Sequence, residues 1–445
     1  MLPQYSGLLT DLYQFTMLQG YLEQGMEEVA VYEFFVRKLP PGRNFLLAAG
    51  LEQALQFLET VSFSEEEVAW LEQTGRFNRK LLDYVANFRF SGDADAMAEG
   101  TVFFPGEPIL RVVAPIPVAQ LVETRLINLL HFQTLVASKA ARVVLAAPGK
   151  LLVDFGLRRA HGAEAGLLAA RACYLAGFGG SSNVLAEREF GIPCYGTMAH
   201  SFVQAHADEA QAFENFAHAQ PGNVVLLVDT YDTEAAAHKV VALAPRLARD
   251  GIKIKAVRLD SGDLGEHARK VRAILDAGGL NEVGIFASGN LDEFELARLD
   301  AQQAPIGGYG VGTRLLTSSD APYLDCAYKL QEYAGLPRRK RSEGKATWPG
   351  RKQVYRRYSA EGCMAGDVLT VESDFKAGEP LLQPVMRGGR RLAPARPLPD
   401  VRAFAAQQIG LLPAHLRALT AAESYPVEVA PALQALAHAV DQQRA

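Results

Sequence analysis

The segment of this chain with the most chemical potential lies where an apolar run ends; it consists of Arg258, Leu259, Asp260, Ser261, Gly262 and Asp263. The residues before it alternate in polarity, which predicts a strand over 252–259. A period of two places Arg258 and Asp260 on the same face of that strand. A cation and a carboxylate that point together at a strand end could bind an anion and a sugar.

Similar strand ends recur from about residue 150, where short apolar runs alternate with polar or glycine-containing turns and with helices. The predicted strands are Leu151–Phe155, Ile192–Tyr195, Val224–Val228, Ile252–Leu259, Val283–Ala287 and Ile306–Tyr309. Such alternation predicts a parallel sheet. Because no dinucleotide-binding glycine pattern follows the first strand, we expect a closed or nearly closed barrel, whose functional residues gather at the carboxyl ends of the strands.

Two of the later turns have the composition of phosphate-binding loops. Residues 288–290 read Ser-Gly-Asn before a helix that begins near Leu291, and residues 310–313 read Gly-Val-Gly-Thr. Glycines let backbone amides approach an anion closely, and each loop supplies a hydroxyl. Tight turns would explain either loop alone. Together, late in a barrel, the two loops favour phosphate.

The other strand ends carry further candidate ligand-binding residues. Arg158 and Arg159 could each bind a carboxylate or phosphate through two hydrogen bonds, although surface ion pairs would also explain them. His200 lies early in a predicted helix, where a histidine is more often structural than catalytic. Asp229 and Asp232 could bind Mg²⁺ or ribose hydroxyls, or could cap helices.

Composition excludes several classes of protein. The chain has 445 residues, a formal net charge of −5 and 49% hydrophobic residues, values typical of a globular protein of about two or three domains and not of a basic nucleic-acid binder. The first residues lack a secretion signal and no apolar run approaches membrane-spanning length, so we expect a cytoplasmic protein that binds neither nucleic acid nor membrane. Free thiols and no structural metal fit the spacing of the four cysteines, which are Cys173, Cys194, Cys326 and Cys363.

The organisation of the chain changes near residue 150. Residues 1–147 predict an α/β domain, in which 101–104 and 109–113 would form a hairpin around a Pro-Gly turn. Residues 148–325 predict the barrel with its active-site loops. Residues 326–445 predict a C-terminal segment with a basic loop and outer helices, part of which would join the N-terminal domain.

At this point the ordered motifs resemble the nicotinate phosphoribosyltransferase family, nearly from end to end. The matching blocks are residues 10–14, 155–160, 196–201, 257–264 and 310–313, which read TDLYQ, FGLRRA, GTMAHS, VRLDSGDL and GVGT. The resemblance implies an irregular TIM-like α/β barrel of the type II phosphoribosyltransferase class with an N-terminal α/β sandwich domain. It also implies a homodimer whose active sites are shared between subunits.

The resemblance further implies a reaction. Nicotinate and phosphoribosyl pyrophosphate would give nicotinate mononucleotide and pyrophosphate in NAD salvage, with Mg²⁺ as the metal and ATP hydrolysis coupled to the transfer. His200 is similar to the family's histidine that ATP phosphorylates. Tyr13 resembles the aromatic residue that stacks on the pyridine ring from across the dimer interface. Arg159, with Arg158 as second choice, and Arg258 resemble cations that face nicotinate and the phosphoribosyl group.

Smaller roles are carried over from the same motifs. Thr197 would donate a hydroxyl to the ligand, and Asp260 resembles the acid that binds the ribose hydroxyls. Asp263 would either hold Mg²⁺ through water or cap the helix predicted over 264–276, for which Ser261 is another possible cap. The 5′-phosphate cradle would comprise Ser288, Gly289, Gly312 and Thr313.

Three alternatives remain open at the level of sequence. A nicotinamide-using enzyme would leave Arg159 without an anion to pair with. A quinolinate-using enzyme would need more cations for two carboxylates and no phosphorylatable His200. A catalytically silent homologue that binds nucleotide would have no need of the whole polar cluster. The basic stretch 337–357 is either a solvated loop or a segment that helps to hold polyphosphate.

Overall fold

The computed structural model describes residues 6–443 and divides into two compact units. One unit combines the residues up to 138 with those from 323 onward, and the other comprises residues 139–322. The three domain bounds expected from the sequence stay predictions beside this division.

The helices and strands are numbered separately, each in chain order. The helices are α1 Leu12–Glu23, α2 Leu51–Thr60, α3 Glu65–Gln73, α4 Arg79–Ala86, α5 Ile116–Leu121, α6 Glu123–Ala146, α7 Ala163–Ala176, α8 Val184–Phe190, α9 His200–Gln204, α10 Glu209–Ala219, α11 Thr233–Arg249, α12 Leu264–Ala277, α13 Glu293–Ala301, α14 Thr313–Leu316, α15 Leu398–Gly410 and α16 Pro431–Gln442. The strands are β1 Val29–Val36, β2 Leu46–Leu47, β3 Asp93–Ala96, β4 Val102–Phe103, β5 Pro108–Pro115, β6 Leu151–Asp154, β7 Gly180–Ser181, β8 Val224–Leu227, β9 Ile254–Leu259, β10 Gly284–Ser288, β11 Gly308–Val311, β12 Cys326–Tyr333, β13 Leu336–Pro337, β14 Lys352–Tyr358, β15 Met364–Val371, β16 Glu379–Pro380, β17 Gln383–Arg387, β18 Arg390–Arg391 and β19 Val427–Val429.

The first unit is built on a seven-stranded sheet of order β13-β12-β1-β5-β3-β17-β18. Strand β1 is the centre of its core, because seven of its eight residues are buried. Strands from beyond residue 323 pair with strands from the beginning of the chain, since β12 runs antiparallel to β1 and β17 to β3. A second sheet of order β16-β14-β15-β19 comes wholly from the C-terminal part.

The hairpin predicted over 101–113 is wrong. Strand β4 pairs with β2, whereas β5 pairs with β1 and β3. The amide of Phe104 donates to the Glu107 carboxylate at 2.8 Å, and the amide of Gly106 donates to the Val36 carbonyl at 2.8 Å. The turn therefore passes the chain from one sheet to another, a use that local turn residues do not reveal.

The cations of the basic stretch 337–357 largely pair within their own unit. Arg351 binds Glu332 at 3.0 Å, and Arg339 lies 5.9 Å from the Trp348 ring and 3.4 Å from Asp441. Lys352 is buried against Glu33.

The second unit is a curled parallel sheet of order β7-β6-β11-β10-β9-β8. Pairing of β6 with β11 joins the first strand of the unit to the last, as closure into a barrel requires. A bridge from Ser181 to Cys194 extends the sheet beyond β7. Between this bridge and β8, the Asn223 side chain donates to the Gly196 carbonyl at 3.1 Å. The expected irregular barrel is confirmed.

The largest differences from the predicted barrel strands lie between β6 and β8. The strand expected over 192–195 is reduced to the Cys194 bridge. The sequence analysis missed β7, because two small residues carry no apolar pattern. Gly180 is required there, since a Cβ would lie 2.2 Å from the Pro193 carbonyl oxygen.

Aspartates start three of the barrel helices directly after strand ends. Asp232 accepts from the Ala235 amide, Asp263 from the Glu266 amide, and Asp292 from two amides of α13. Such caps satisfy amides that the helix leaves free and fix where each loop ends. Among residues 6–443, no helix has both the length and the apolar character needed to cross a bilayer.

Candidate active site

Arg258 is the most buried cation at the strand ends. It lies near the end of β9, and its Nη1 donates to the Thr197 hydroxyl at 2.8 Å. Its Nε is buried without a hydrogen-bond partner in the described structure. Burial lowers the pKa of Arg258, and the charges of Asp260 and Asp229 oppose that shift. An arginine with an unused donor is suited to bind an anion.

Asp260 and Ser288 join the ends of neighbouring strands. The Ser288 hydroxyl donates to Asp260 Oδ1. The Asp260 amide donates to Asp229 Oδ2 at 2.8 Å, and the Ser261 hydroxyl donates to the same oxygen at 2.6 Å. The side chain of Asp260 is 37% exposed, so the carboxylate could accept from sugar hydroxyls.

His200 lies beside this carboxylate at the start of the short helix α9. Its Nδ1 is 3.2 Å from the Thr230 hydroxyl, and its Nε2 is 3.8 Å from Asp260 Oδ2. The histidine side chain is 38% exposed. One ring nitrogen is therefore held by a hydroxyl while the other faces the site. Thr230 was not singled out from the sequence.

The two sequential arginines occupy a turn after β6 that we name the arginine turn, residues 156–160. Residues 157–159 form a single turn of 3₁₀ helix, and both Arg158 and Arg159 are exposed. Of the two, Arg158 is the one whose charge contributes to the lowered pKa of Arg258. The sequence analysis put Arg159 first as the cation that faces the ligand, and that order stays a prediction.

The two predicted phosphate loops owe their glycines to close backbone approaches. Gly289 has φ of 98°, and a Cβ there would lie 2.0 Å from the Asp260 carbonyl oxygen. A Cβ on Gly312 would lie 2.9 Å from the Phe155 carbonyl oxygen. Thr313 is exposed at the start of α14. The glycines thus hold the loops against neighbouring strand ends.

An ion pair that sequence reasoning missed connects these loops. Asp292 caps α13 with one oxygen, and its other oxygen accepts from Arg314 Nη1 at 2.5 Å. Arg314 directly follows Thr313. An aspartate just before a helical pattern was the available signal for the cap, but its second bond depends on tertiary structure.

Tyr13 belongs to the first unit, where its hydroxyl is hydrogen-bonded to a buried carboxylate. The tyrosine side chain is exposed, and its hydroxyl donates to Glu123 Oε2 at 3.2 Å. Gln14 and Gln120 donate to the same oxygen. Burial and the charge of Glu123 raise the pKa of Tyr13 to about 12. The phenol therefore remains a neutral donor with its ring face available.

The Mg²⁺ implied by the resemblance fits the carboxylates only as an ion shared with a substrate. Within residues 6–443, no group of three or more His, Cys, Asp or Glu side chains could hold a metal. Mg²⁺ typically takes one or two carboxylates together with substrate phosphates. Asp229 Oδ1 is buried without a hydrogen-bond partner in the described chain and lies beside Asp260. Asp263, the residue predicted from sequence, is an exposed helix cap.

The structure thus brings five of the predicted residues of the second unit into three hydrogen-bonded contacts, namely Arg258 with Thr197, Asp260 with Ser288, and His200 with Thr230. Asp263 instead caps α12, and Arg158, Arg159 and Thr313 are exposed. The combination of a cation, a carboxylate and glycine loops at the carboxyl ends of barrel strands suits a phosphorylated sugar. These features define an α/β-barrel protein with a polar cluster at the carboxyl ends of its strands.

Comparison with known proteins makes the class more specific. Three family models match the chain: the nicotinate phosphoribosyltransferase N-terminal domain over 8–131, the nicotinate phosphoribosyltransferase family over 151–334 and the C-terminal domain over 373–437. The chain is 50% identical to nicotinate phosphoribosyltransferase pncB2 of Mycobacterium tuberculosis over 424 residues, 95% of this chain and 91% of that protein. It is 39% identical to the Bacillus subtilis nicotinate phosphoribosyltransferase over 356 residues, 78% of this chain and 72% of that protein.

Solved structures agree. Human nicotinic acid phosphoribosyltransferase matches with a TM-score of 0.88 and 30% identity over 97% of this chain and 100% of that chain. Nicotinate-nucleotide pyrophosphorylase from Pyrococcus furiosus matches with a TM-score of 0.73 and 26% identity over 91% and 95%. The chain belongs to the nicotinate phosphoribosyltransferase family, and the resemblance stated from its motifs is confirmed.

Proposed function

We propose that this protein transfers a phosphoribosyl group from phosphoribosyl pyrophosphate to nicotinate, which yields nicotinate mononucleotide and pyrophosphate. The observation that carries the proposal is a pair of side-chain contacts at the strand ends, Arg258 with Thr197 and Asp260 with Ser288. They put a cation and a sugar-binding carboxylate next to glycine loops suited to a phosphate. Family membership supplies the substrate class.

Each group of the substrates has a counterpart at the strand ends. Arg258 and the arginine turn face the nicotinate carboxylate and the phosphoribosyl group, because guanidinium groups bind both anions in two-bonded geometry. Asp260 accepts from the ribose hydroxyls. The loops around Gly289 and Gly312 receive the 5′-phosphate.

The transfer needs positioning more than covalent help from the protein. The bond from ribose C1 to pyrophosphate breaks and its electron pair leaves with the pyrophosphate, while the lone pair of the pyridine nitrogen forms the new bond to C1. Arg258 stabilises negative charge, and the fixed loops hold the two reactants in line. Asp229 and Asp260 would hold Mg²⁺ together with the pyrophosphate. When bound, Mg²⁺ neutralises charge on the leaving group.

The same proposal includes coupling to ATP through His200. With the proton on Nδ1, donated to Thr230, the lone pair of Nε2 faces the site and can attack the γ-phosphorus of ATP, with ADP as the leaving group. The phosphoryl group then lies near Asp260 and changes the local charge, which alters substrate affinity until water hydrolyses the phosphohistidine. The phosphoribosyl transfer, whose reactants and products would be close in free energy, would thereby be driven forward by ATP hydrolysis.

The proposal extends to assembly and setting. The protein would act as a homodimer in the cytoplasm, in NAD salvage, with Tyr13 of each subunit stacked on the pyridine ring bound by the other. The exposed ring of Tyr13, anchored through its hydroxyl on Glu123, supports a stacking role.

Product formation with nicotinate, nicotinamide or quinolinate, each with and without ATP, tests the proposal directly. We expect turnover with nicotinate and stimulation by ATP. Turnover with nicotinamide and with neither of the other pyridines would support a nicotinamide-using enzyme. Turnover with quinolinate, accompanied by release of carbon dioxide, would support a quinolinate-using enzyme. Absence of product with every pyridine while the protein still binds phosphoribosyl pyrophosphate would indicate a silent homologue.

A further inference from the structure

Directly beneath the arginine turn lies a buried carboxylate that plays no part in the proposed transfer or in its coupling to ATP. We propose that Asp154 is a positioning residue that, together with Ser181, fixes the arginine turn for binding of the anionic substrates. The inference rests on the proposed function, because it assumes that the arginines face nicotinate and the phosphoribosyl group.

Both oxygens of Asp154 are used to hold the turn. Oδ1 accepts from the Gly156 amide at 2.8 Å, and Oδ2 accepts from the Ser181 hydroxyl at 2.8 Å. Ser181 in turn accepts from the Asn183 amide at 3.0 Å. Asp154 and Ser181 pair on adjacent strands, and both are essentially inaccessible to solvent. The first residue of the turn is thus tied to two strands of the barrel.

The rest of the turn is built outward from Gly156. The Arg159 amide donates to the Gly156 carbonyl at 2.8 Å, so the 3₁₀ turn starts from the residue that Asp154 holds. On its other side, Gly156 packs so closely against Leu316 that a Cβ would lie 2.5 Å from that side chain. Both arginine side chains are exposed and gain little from packing. Displacement of Gly156 would therefore displace both guanidinium groups.

The electrostatic surroundings of Asp154 make its hydrogen bonds to Gly156 and Ser181 sensitive to acid. Burial raises the pKa of Asp154 to about 6, and only the hydrogen bonds from Gly156 and Ser181 oppose that shift. The titratable group that faces it from α7 is Cys173, whose buried thiol has a strongly raised pKa and stays neutral. Above about pH 6 the carboxylate accepts both hydrogen bonds. Below that pH the protonated acid has lost its negative charge and accepts the two hydrogen bonds more weakly, so the turn loosens.

Steady-state kinetics of Asp154→Asn and Ser181→Ala test the inference. We expect the KM for nicotinate to rise and kcat/KM to fall by about tenfold, because small displacements of binding groups are costly. The ratio of parent to Asp154→Asn kcat/KM should also fall as pH drops through about 6, because only the parent loses the carboxylate. This ratio cancels ionisations of the substrate and of other residues.

Cys173→Ala is the matched control, because it alters the same buried surroundings without touching a hydrogen bond to the turn; its KM should equal that of the parent. If Asp154→Asn fails to fold, Ser181→Ala alone decides through the KM for nicotinate. Parent-like KM values in folded variants, or a pH-independent ratio, would overturn the positioning role. An inactive parent protein would instead count against the proposed function.

Discussion

The strand-end site of the second unit and the buried ion pairs of the first unit use the same residue types in opposite ways. In the first unit, Arg356 and Asp367 are fully buried and joined by two hydrogen bonds of 3.0 and 2.6 Å. The Tyr425 hydroxyl donates to the same carboxylate at 2.9 Å. In the second unit, Arg258 lies near the end of β9 and Asp260 directly after it, yet each is hydrogen-bonded to a hydroxyl and not to the other.

The difference shows in the pKa values of the two arginines. Burial alone would lower the pKa of Arg356, but the hydrogen bonds and charge of Asp367 raise it above its ordinary value. For Arg258 burial prevails, and the pKa falls. A closed ion pair stabilises a fold, whereas an arginine kept near carboxylates without a full pair retains donors and charge for a ligand.

Asp367→Asn should have the largest effect, on stability. The substitution leaves Arg356 buried with a weaker partner, and breaking a buried pair typically costs about 3–5 kcal/mol. Urea unfolding followed by circular dichroism measures this. Asp260→Asn is the matched comparison and should change the free energy of unfolding by less than about 1 kcal/mol. Equal losses in both variants would remove the distinction between the two regions.

Arg258→Lys should reduce activity and leave stability nearly unchanged. A lysine cannot reproduce the two-bonded geometry of guanidinium with an anion, so we expect kcat/KM with nicotinate to fall by about 100-fold. The free energy of unfolding should stay within about 1 kcal/mol of the parent value. Assays with varied nicotinate and phosphoribosyl pyrophosphate would show which substrate depends on the arginine. Retained activity would indicate that Arg258 serves the fold.

His200→Ala should abolish stimulation by ATP and leave slow transfer without ATP. The side chain that would be phosphorylated is lost, while Arg258 and Asp260, to which the proposal assigns substrate binding, remain. Product formation with and without ATP measures the effect, together with acid-labile labelling from γ-labelled ATP. His218→Ala, which removes an exposed histidine paired with Asp250, is the control. Undiminished stimulation in His200→Ala would mean that another residue couples ATP.

Glu107→Gln should have the smallest effect and should depend on pH. Burial, followed by the negative charge of Asp367, raises the pKa of Glu107 well above its ordinary 4.5. The folded state therefore keeps a proton that the unfolded state releases, and this contribution to stability is lost as pH rises above about 4.5. Glutamine mimics the protonated acid, so the variant should gain stability relative to the parent as pH increases. Urea midpoints from pH 5 to 9 test this, and a constant difference would contradict it.

Much of the barrel could be predicted because its signals are local. Alternating apolar runs marked strands that the structure places within one or two residues, as for β6 and β8. Local signals failed where residues are small or where strands pair with distant parts of the chain. Strand β7 consists only of Gly180 and Ser181. The two strands of the hairpin predicted around Gly106 belong to different sheets. The sequence put Arg159 ahead of Arg158, but which of the two faces a ligand depends on how the 3₁₀ turn orients their side chains, and local sequence does not set that orientation.

The sequence by itself determined the family, the order of the barrel elements and most of the side chains that gather at the strand ends, because strand period, helix caps and glycine turns are short-range properties. Only the tertiary structure decided which of these side chains are hydrogen-bonded to one another. It joined Ser288 to Asp260 and Thr230 to His200, and it placed Asp154 beneath the arginine turn. Such contacts join residues from different strand ends, and their geometry depends on how the parallel strands align once the sheet has curled.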